Sequence, residues 1–338
     1  MIIQRRRPTQ KQIAARAGVS TTTVCRVLNP YETNPERWAS ALTINQIREI
    51  ADQVGYNYNG YSPSQSRSRF IATMLPTTDD YVVSAIHSGI DQVATYNQLT
   101  SIMVCTMDGL RPRSDRVLNL MDGTVDGLIL ADAQLDDELL DMIQAQQVPF
   151  TLVHRRHPDY VSVHADDWAA GNLAAKHLIN LGRKNLAFIG GRSQDSTGKD
   201  RIDGFMAAIQ EAGLALPQVI ETDHFVESGQ QATQMLLEHN PIPDAIFAAH
   251  DWAALGSLGI LRERGLSVPE DVAVIGCYET PLAQAADLTS IRIDLKQMGY
   301  RACQLLIDTI DNRPVTSETL PVGITVRGST NPDRFSVS

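Results

Sequence analysis

The chain has little cysteine and no long apolar run, and each shortage excludes a class of protein. Only four cysteines occur in 338 residues, without a CxxC pair or the histidine and cysteine spacing of a zinc site. We therefore expect neither a disulfide framework nor a bound metal. No apolar run approaches the length of a membrane span, and the N-terminus lacks the apolar core of an export signal. These absences predict a cytoplasmic protein with no membrane partner.

Motifs of the common catalysts are missing as well. The sequence contains no Walker lysine motif, no GxGxxG after the first predicted strand, no GxSxG and no HExxH. Two segments have a catalytic interpretation beside a simpler one. Gly190 and Gly191 form either a phosphate-binding turn or a plain tight turn. The run from His154 to His157 is either a metal or phosphate cluster or a basic loop at a strand end. We predict a protein that is not an enzyme and needs no cofactor.

Positive charge is scarce overall, but it is concentrated at one end. The formal net charge is −10. Residues 1–69 nevertheless hold ten Lys and Arg against four Asp and Glu, a net charge of +6, which leaves −16 for the remainder. This division favours a nucleic-acid contact near the N-terminus, where Arg5, Arg6 and Arg7 would follow phosphates. The acidic body should be held away from DNA.

Within this basic N-terminal part, residues 9–29 read as two short helices joined by a tight turn. Thr9 and Gln12 have the spacing of a capping box at the first helix. Gly18 ends that helix, and Ser20 caps the second. The outer face of the second helix would carry Thr21, Thr22, Cys25 and Arg26. Small hydroxyls and an arginine there are suited to base edges and phosphates in a major groove. An ordinary helical hairpin with a solvated face is the alternative.

A third helix and a linker follow the hairpin. Residues 43–54 place isoleucine and valine on one stripe, which predicts a helix that closes a small core. Residues 30–40 form a long connection, interpreted either as a dimer or DNA-backbone contact or as a plain surface insertion. Residues 56–69 are rich in Asn, Ser, Tyr and Arg and poor in aliphatic side chains, which marks a linker between domains.

From Phe70 onward, short apolar strands alternate with helical segments. The strand-like segments FIATML, SIMVC, DGLIL and PFTLV form one series, and VSVH, NLAFIGG, PQVIET, DAIFAA and VAVIGC form a second. Two successive βαβ series predict two doubly wound lobes with parallel sheets. Ligands bind such sheets beyond the carboxyl ends of their strands. We therefore predict an α/β body with a binding cleft between two lobes, behind an all-α headpiece.

Several longer segments add a more specific pattern. They are IAARAGVSTTTVCRVLN in the hairpin, GY at 55, AAKHLINLGRKNLAFIGG from 174, RIDGF from 201, DAIFAAHDWAALGSLGILRERGLSVPEDVAVIG from 244, LTSIRID at 288 and VRGST at 326. With them the chain resembles the lactose-repressor/galactose-repressor family of bacterial transcription regulators over nearly its full length. The resemblance implies a helix-turn-helix headpiece and a two-lobed core of the periplasmic-binding-protein-like type I fold, which binds a small effector and dimerises.

The resemblance also implies domain boundaries. The headpiece is expected at 1–57, the hinge at 58–69, the core at 70–330 and a tail at 331–338. Within the core we expect an N-lobe of about 70–161 plus 291–320, and a C-lobe of about 162–290 plus 321–330.

On the DNA side, the resemblance implies a nucleoid-associated homodimer bound to double-stranded operator DNA. Thr21 and Thr22 match base-reading positions, and Arg26 matches a further major-groove contact. Ser20 and Asn29 match phosphate contacts. The full set expected at the DNA is Thr9, Gln10, Ser20, Thr21, Thr22, Thr23, Arg26, Asn29, Tyr58 and Asn59.

In the core, the resemblance implies an effector site made of Tyr81, His154, Arg201, His224, Phe225, His250, Asp251, Tyr278 and Glu279. Arg201 matches the arginine that binds ligand oxygens. Family members with sugar effectors commonly have Asp or Asn where this chain has His154, His250 and Tyr278. Histidines with an arginine suit an anionic ligand, so the expected effector is a sugar, a sugar phosphate or a sugar acid. A structural hydrogen-bonding role for each histidine is the alternative.

The hinge departs from the family pattern. Gln65 stands where the family has a leucine that enters the minor groove, and Pro63 disrupts helical hydrogen bonding. The hinge therefore either uses Tyr58 or Tyr61 as its apolar element or does not kink DNA strongly. Effectors of this family either release DNA or promote its binding, and the sequence leaves both open. The competing function is a solute-binding module of the same lobed fold, against which the basic headpiece and the lack of an export signal argue.

Overall fold

The computed structural model describes most of the chain. The described residues are 9–28, 34–54, 56, 68–77, 80–106, 113–121, 124–135, 137–191, 194–239 and 241–331. Several sequence predictions fall outside these ranges, namely those for Arg5, Arg6, Arg7, Asn29, Tyr58, Asn59, Tyr61, Pro63 and Gln65.

The N-terminal domain begins with the two capped helices that the sequence predicts. Helix α1 (Gln10–Ala17) follows Thr9, and the reciprocal hydrogen bonds of a capping box join Thr9 to Gln12. Gly18 ends α1 with φ of +68°, a left-handed conformation that glycine adopts without strain. Helix α2 (Thr21–Val27) follows Ser20, whose Oγ accepts from the Thr23 N–H at 3.0 Å.

A third helix closes the domain. A 3-10 helix (Pro35–Arg37) precedes helix α3 (Ala41–Val54). The inward faces of the three α-helices form one small core, whose buried members are Ile13, Ala14, Val24, Val27, Leu28, Ile44, Ile47 and Ala51. Burial of Val24 and Val27 turns the opposite face of α2 to solvent, as predicted.

Beyond residue 68, strands and helices alternate. In chain order they are β1 (Phe70–Leu75), α4 (Tyr81–Tyr96), β2 (Thr100–Cys105), α5 (Arg113–Leu120), β3 (Gly127–Leu130), α6 (Glu138–Ala145), β4 (Phe150–Val153), β5 (Ser162–Ala165), α7 (Asp167–Asn180), β6 (Leu186–Ile189), α8 (Ser196–Glu211), β7 (Gln218–Ile220), α9 (Val226–Leu237), β8 (Ala245–Ala248), α10 (Asp251–Glu263), β9 (Ala273–Cys277), α11 (Pro281–Ala285), β10 (Thr289–Arg292), α12 (Leu295–Ile310), β11 (Glu318–Leu320) and β12 (Gly323–Thr325). Within the described ranges, no helix combines the length and the apolar character that crossing a membrane requires.

The strands form two six-stranded sheets, and each sheet defines a lobe. The first lobe has the order β2-β1-β3-β4-β5-β11, and the second has β7-β6-β8-β9-β10-β12. All neighbours are parallel except β12, which runs antiparallel to β10. Both sheets reverse their winding beside the first strand of the lobe, as doubly wound sheets do. The predicted fold class is therefore confirmed.

The expected lobe boundaries need correction at two places. Strand β5 pairs with β4 and β11, so it belongs to the first lobe and the chain crosses over only after Ala165. Strand β10 pairs with β9, so residues 291 and 292 stay in the second lobe. The error has a physical cause, because a strand buried on both faces looks the same in either sheet.

Helices α7 and α8 approach each other closely beside the second sheet, because glycines stand where they touch. A Cβ on Gly171 would lie 2.0 Å from the Arg201 carbonyl oxygen, and a Cβ on Gly204 would lie 1.9 Å from that of Trp168. The two glycines therefore fix the depth at which α8 presents Arg201.

Candidate functional site

A cavity of about 500 Å³ lies between the lobes, beyond the carboxyl ends of their strands. Its volume is within the usual range for small-molecule sites. Both lobes contribute to its wall. Of the residues that the sequence places at an effector, six line the cavity, namely His154, Arg201, His224, Phe225, His250 and Tyr278.

Three residues expected at the effector do not line the cavity. Tyr81 begins α4, and its side chain is 41% exposed on the outside. Asp251 is fully buried, where its carboxylate accepts hydrogen bonds from the Thr280 N–H and the Ser290 hydroxyl, each at 2.7 Å. Glu279 is ion-paired with Arg327 at 2.9 Å. Their neighbours in sequence, Asp80, His250 and Tyr278, line the cavity instead, and a role of the three residues at an effector stays a prediction.

Arg201 is held by the protein itself. Its side chain is 2% exposed, Nε donates to Asp167 Oδ1 at 2.7 Å, and Nη1 donates to the Ala249 carbonyl at 2.7 Å. Its Cζ also lies 4.6 Å from the centre of the Tyr278 ring. Burial alone lowers the pKa of Arg201, but Asp167 outweighs it and the pKa is raised well above its usual value. Burial raises the pKa of Asp167 to about 6, and Arg201 limits that rise.

Asp80 and His250 join the two lobes across the cavity. Asp80 caps α4 in the first lobe, and His250 caps α10 in the second. His250 Nε2 lies 3.3 Å from Asp80 Oδ2, and both side chains are 6% exposed. His250 Nδ1 accepts from the Trp252 N–H at 3.2 Å, so Nε2 is the nitrogen that carries a proton toward Asp80. Burial raises the pKa of Asp80, but the hydrogen bond and charge of His250 outweigh it, and the pKa is lowered.

His154 and Tyr278 form a second link between the lobes. His154 follows β4, Tyr278 follows β9, and a hydrogen bond of 2.9 Å joins His154 Nε2 to Tyr278 Oη. Burial lowers the pKa of His154 well below its usual value, and the charges of Arg155 and Arg201 lower it further. His154 is therefore a neutral hydrogen-bonding group at pH 7.

Aromatic rings form one side of the cavity. The His224 ring stacks on that of His250 at 5.5 Å between centroids, and it also contacts Phe225 at 5.3 Å. Burial first, and the charge of His250 second, lower the pKa of His224. A neutral ring face of this kind suits the apolar face of a sugar ring or another flat ligand.

Two arginines of the basic run after β4, Arg155 and Arg156, contact the second lobe. Arg156 forms a two-pronged pair with Asp200, with both N–O distances at 2.6 Å, and its backbone N–H donates to Ser196 Oγ at 3.0 Å. Arg155 is ion-paired with Asp195 at the start of α8. The sequence signal for these bridges is the HRRH segment itself, for which the sequence suggests a metal or phosphate cluster or a basic loop and not a contact between lobes.

The family resemblance did not indicate the acidic side chains of the cavity wall. Asp80, Asp132, Asp195 and Asp223 line the cavity. Asp132 is neutralised by Arg113, with 2.9 Å between Nε and Oδ2. Among the described lining residues, both arginines, Arg155 and Arg201, already have carboxylate partners. The uncompensated charge at the wall is therefore negative, which weakens the expectation of an anionic ligand.

Strained backbone occurs at and beside the cleft, as it does at five other described non-glycine residues elsewhere. His154, Tyr278 and Glu279 have φ values of +70°, +96° and +51°. Side chains other than glycine avoid this region, and the strain indicates that packing holds these residues in place. His154 and Tyr278 are the same two residues that link the lobes.

A second candidate surface lies on α2. Thr22 and Arg26 are one turn apart on its exposed side, opposite Val24 and Val27. Ser20 and Thr23 are engaged with each other at the cap, with 2.9 Å between their hydroxyl oxygens. The surface leaves Thr21, Thr22 and Arg26 accessible to a partner. Thr9 and Gln10 begin α1 nearby.

Comparison with known proteins agrees with both halves of this architecture. Residues 175–330 match a family described as a periplasmic binding protein-like domain. The HTH-type transcriptional regulator DegA of Bacillus subtilis (strain 168) is 30% identical over 336 residues, covering 95% of this chain and 97% of DegA. The HTH-type transcriptional repressor CytR of Escherichia coli (strain K12) is 30% identical over 333 residues, covering 95% of this chain and 96% of CytR.

Solved structures show the same likeness. The transcriptional regulator CelR, in a complex with cellobiose, matches with a TM-score of 0.73 and 27% identity over 96% of this chain and 100% of that chain. The transcription regulator CcpA of Lactococcus lactis matches with a TM-score of 0.73 and 26% identity over 79% of this chain and 100% of that chain.

Proposed function

The chain belongs to the LacI/GalR family of helix-turn-helix transcriptional regulators, and from this premise we propose that it is a repressor whose affinity for operator DNA is set by a neutral, hydroxyl-rich small molecule bound between its lobes. It is a regulator and not an enzyme. In this proposal it acts in the cytoplasm as a homodimer, with one headpiece on each half of a pseudo-palindromic operator.

The observation that carries the choice of effector is the pairing of the arginines. An anionic group needs an uncompensated cation, and the charges of Arg201 and Arg155 are balanced by Asp167 and Asp195, although Arg201 Nη2 and Arg155 Nε make no hydrogen bond within the described residues. A phosphate or carboxylate would also approach Asp223, whose carboxylate lines the cavity. A neutral ligand avoids both costs. This choice revises the expectation of a sugar phosphate or sugar acid.

The remaining polar groups suit hydroxyls. Carboxylates accept hydrogen bonds from sugar hydroxyls, and the hydroxyl and amide side chains at the wall both donate and accept. The described wall carries Gln134, Thr197, Thr222 and Asp223, of which Asp223 also accepts from the Phe225 N–H and the Ser228 hydroxyl. His224 and Phe225 supply ring faces for the apolar side of a cyclic ligand. The neutral disaccharide named with CelR is a ligand of this chemistry.

The effector acts on DNA through lobe closure in this account. Asp80, His154 and Arg156 of the first lobe contact the second lobe, so a ligand that binds between the lobes favours the closed arrangement. The linker carries the difference to the headpieces. Because the coupling is a free energy between two sites, operator and effector change each other's affinity by the same factor.

Matched pairs of ligands test the proposal. We would measure thermal stabilisation of the full chain by ribose, cellobiose and adenosine, each beside a charged counterpart such as ribose 5-phosphate, cellobionate or adenosine monophosphate. A neutral compound should stabilise the protein and alter its retention on operator DNA, while its charged counterpart does neither. Binding by charged counterparts alone would contradict the neutral-effector assignment.

A variant pair localises the binding. Asp223→Asn should weaken binding of the stabilising neutral ligand by about tenfold, the usual cost of a lost charged hydrogen bond. Asp159→Asn is the matched control, because the Asp159 side chain is 80% exposed and lies outside the cavity wall. Equal affinities in the two variants would place the ligand elsewhere.

A further inference from the structure

An aromatic side chain from outside the two helices of the hairpin covers the arginine of α2. The Arg26 Cζ lies 3.6 Å from the centre of the Trp38 ring, which is the distance of a face contact. Arg26 is in the last turn of α2, and Trp38 directly follows the 3-10 helix that leads to α3. The contact therefore joins the proposed DNA-reading face to the long connection between α2 and α3.

The backbone of the connection fixes the position of Trp38. Arg37 N–H donates to the Asn34 carbonyl at 3.2 Å, and Trp38 N–H donates to the Pro35 carbonyl at 2.9 Å. Pro35 also restricts the first position of this 3-10 helix. The Trp38 side chain is nevertheless 39% exposed and is not part of the headpiece core. The Trp38 ring therefore lies at the surface of the headpiece, where it contacts Arg26.

The geometry of the stack leaves Arg26 able to bind. A guanidinium group directs its N–H donors outward in its own plane, so an indole against its face occupies none of them. Guanine presents O6 and N7 to two such donors in a major groove. The stack also restricts a flexible side chain before DNA arrives, which reduces the conformational entropy lost on binding.

We propose that Trp38 is a positioning residue that holds Arg26 in its DNA-reading conformation, and that it thereby helps to determine operator sequence preference. This inference rests on the proposed function, in which α2 reads DNA. The described end of the connection, residues 34–38, then contributes to recognition through Arg26.

The test uses the full chain and a duplex selected by the wild-type protein from a randomised pool, together with all single base-pair variants of that duplex. Arg26→Ala should abolish preference at one base pair in each half-site. Trp38→Ala should relax preference at that same base pair and weaken binding of the selected duplex by about two- to fivefold per half-site, the range expected for an exposed cation–π contact. Trp38→Phe should retain most of the preference.

A double-mutant cycle separates positioning from a structural role. In the Arg26→Ala background, Trp38→Ala should have no further effect on affinity or preference. Trp168→Ala, at a side chain that is 47% exposed in the second lobe, is the control for loss of an exposed tryptophan. Thermal unfolding of each variant, with Trp38→Phe beside Trp38→Ala, accounts for any loss of folded headpiece.

Two results would overturn the inference. One is an equal loss of affinity for every duplex in Trp38→Ala, and the other is an undiminished effect of Trp38→Ala without Arg26. Either result leaves the regulator function intact if the wild-type chain selects a defined duplex. Failure of the wild-type chain to select any sequence would instead contradict the proposed function.

Discussion

His250 and Asp80 extend from opposite lobes and meet with 3.3 Å between Nε2 and Oδ2. Each side chain also caps the helix that it precedes, since Asp80 accepts from the Val82 N–H and His250 accepts from the Trp252 N–H. The pair therefore fixes two helix N-termini against each other across the cavity. Closure of the lobes is stabilised by the chain's own side chains, and a ligand adds to contacts that already favour it.

Removal of the Asp80 charge should weaken effector binding. In Asp80→Asn, one oxygen still accepts from Val82, but the charged contact to His250 is lost. If the contact between Asp80 and His250 couples lobe closure to effector binding by about 1–3 kcal/mol, its loss should weaken effector binding roughly 5- to 150-fold. Calorimetry would measure this change in affinity. Asp294→Asn, at the exposed cap of α12, is the matched control. Asp80→Asn affinity within twofold of wild type would show that the pair does not contribute to closure.

Acid should destabilise the closed core through its histidines. The pKa values of His154 and His224 are lowered by burial, so as pH falls below about 6.5 the unfolded chain takes up protons that the folded chain does not. Stability should then fall by up to about 1.4 kcal/mol per pH unit for each such group, until its folded pKa is reached.

Urea unfolding between pH 7 and pH 5 measures this dependence. His154→Gln should reduce the slope of the unfolding free energy against pH by the contribution of one proton. The replacement keeps a hydrogen-bonding group near Tyr278. His239→Gln, at an exposed position just beyond α9, is the control for replacement of a histidine by glutamine. An unaltered slope in His154→Gln would contradict the neutral, buried state of His154.

Two glycine substitutions should have opposite effects. In Gly171→Ala the new Cβ would meet the Arg201 carbonyl oxygen at 2.0 Å, so α7 and α8 must separate, at a cost of about 1–3 kcal/mol in the free energy of unfolding. In Gly259→Ala the nearest atom is Gln230 Nε2 at 3.9 Å, and alanine in this helix should stabilise by about 0.5–1 kcal/mol. Denaturant unfolding distinguishes them, and a stable Gly171→Ala variant would contradict the close packing that positions Arg201.

Replacement of Arg201 should destabilise the second lobe, so that a lost effector response would follow from unfolding. Arg201→Ala leaves the Asp167 carboxylate buried without its partner, at a cost of about 3–5 kcal/mol. The paired replacement Asp167→Leu with Arg201→Met should recover most of that loss, because it removes both charges. The test measures the free energy of unfolding for Asp167→Leu, for Arg201→Met and for the double variant. If the destabilisation of the double variant equals the sum of the two single effects, the coupling is disproved.

Local patterns predict most of the elements and leave their lobe assignment open. The capping box at Thr9 and the left-handed glycine at position 18 act within one helical turn, so the sequence alone shows them. The assignment of β5 depends on β11, which comes from the far end of the chain. Helix α12 also has a local signal, because Leu295, Met298, Ala302 and Leu305 follow a helical spacing.

The candidate site also has one part that the sequence predicts and another that depends on contacts between distant segments. Family resemblance led to His154, His224 and Tyr278 at the cavity, because segments of matching sequence occupy matching positions. It missed the partners of the charged groups, such as Asp80 beside His250 and Asp167 beside Arg201. Pairing between distant segments leaves no local signature, and the charge of the cavity follows from those pairs. Of the effectors that the sequence leaves open, these pairs favour a neutral sugar over a sugar phosphate or sugar acid.

The most direct test of the account is reciprocal linkage between operator and effector. Operator affinity of the full chain would be measured with and without the neutral ligand that stabilises it best, and ligand affinity would be measured with and without operator. The account predicts that the two ratios are equal and differ from one by at least about fivefold. An operator affinity that is unchanged at saturating ligand would contradict the claim that this cavity controls DNA binding.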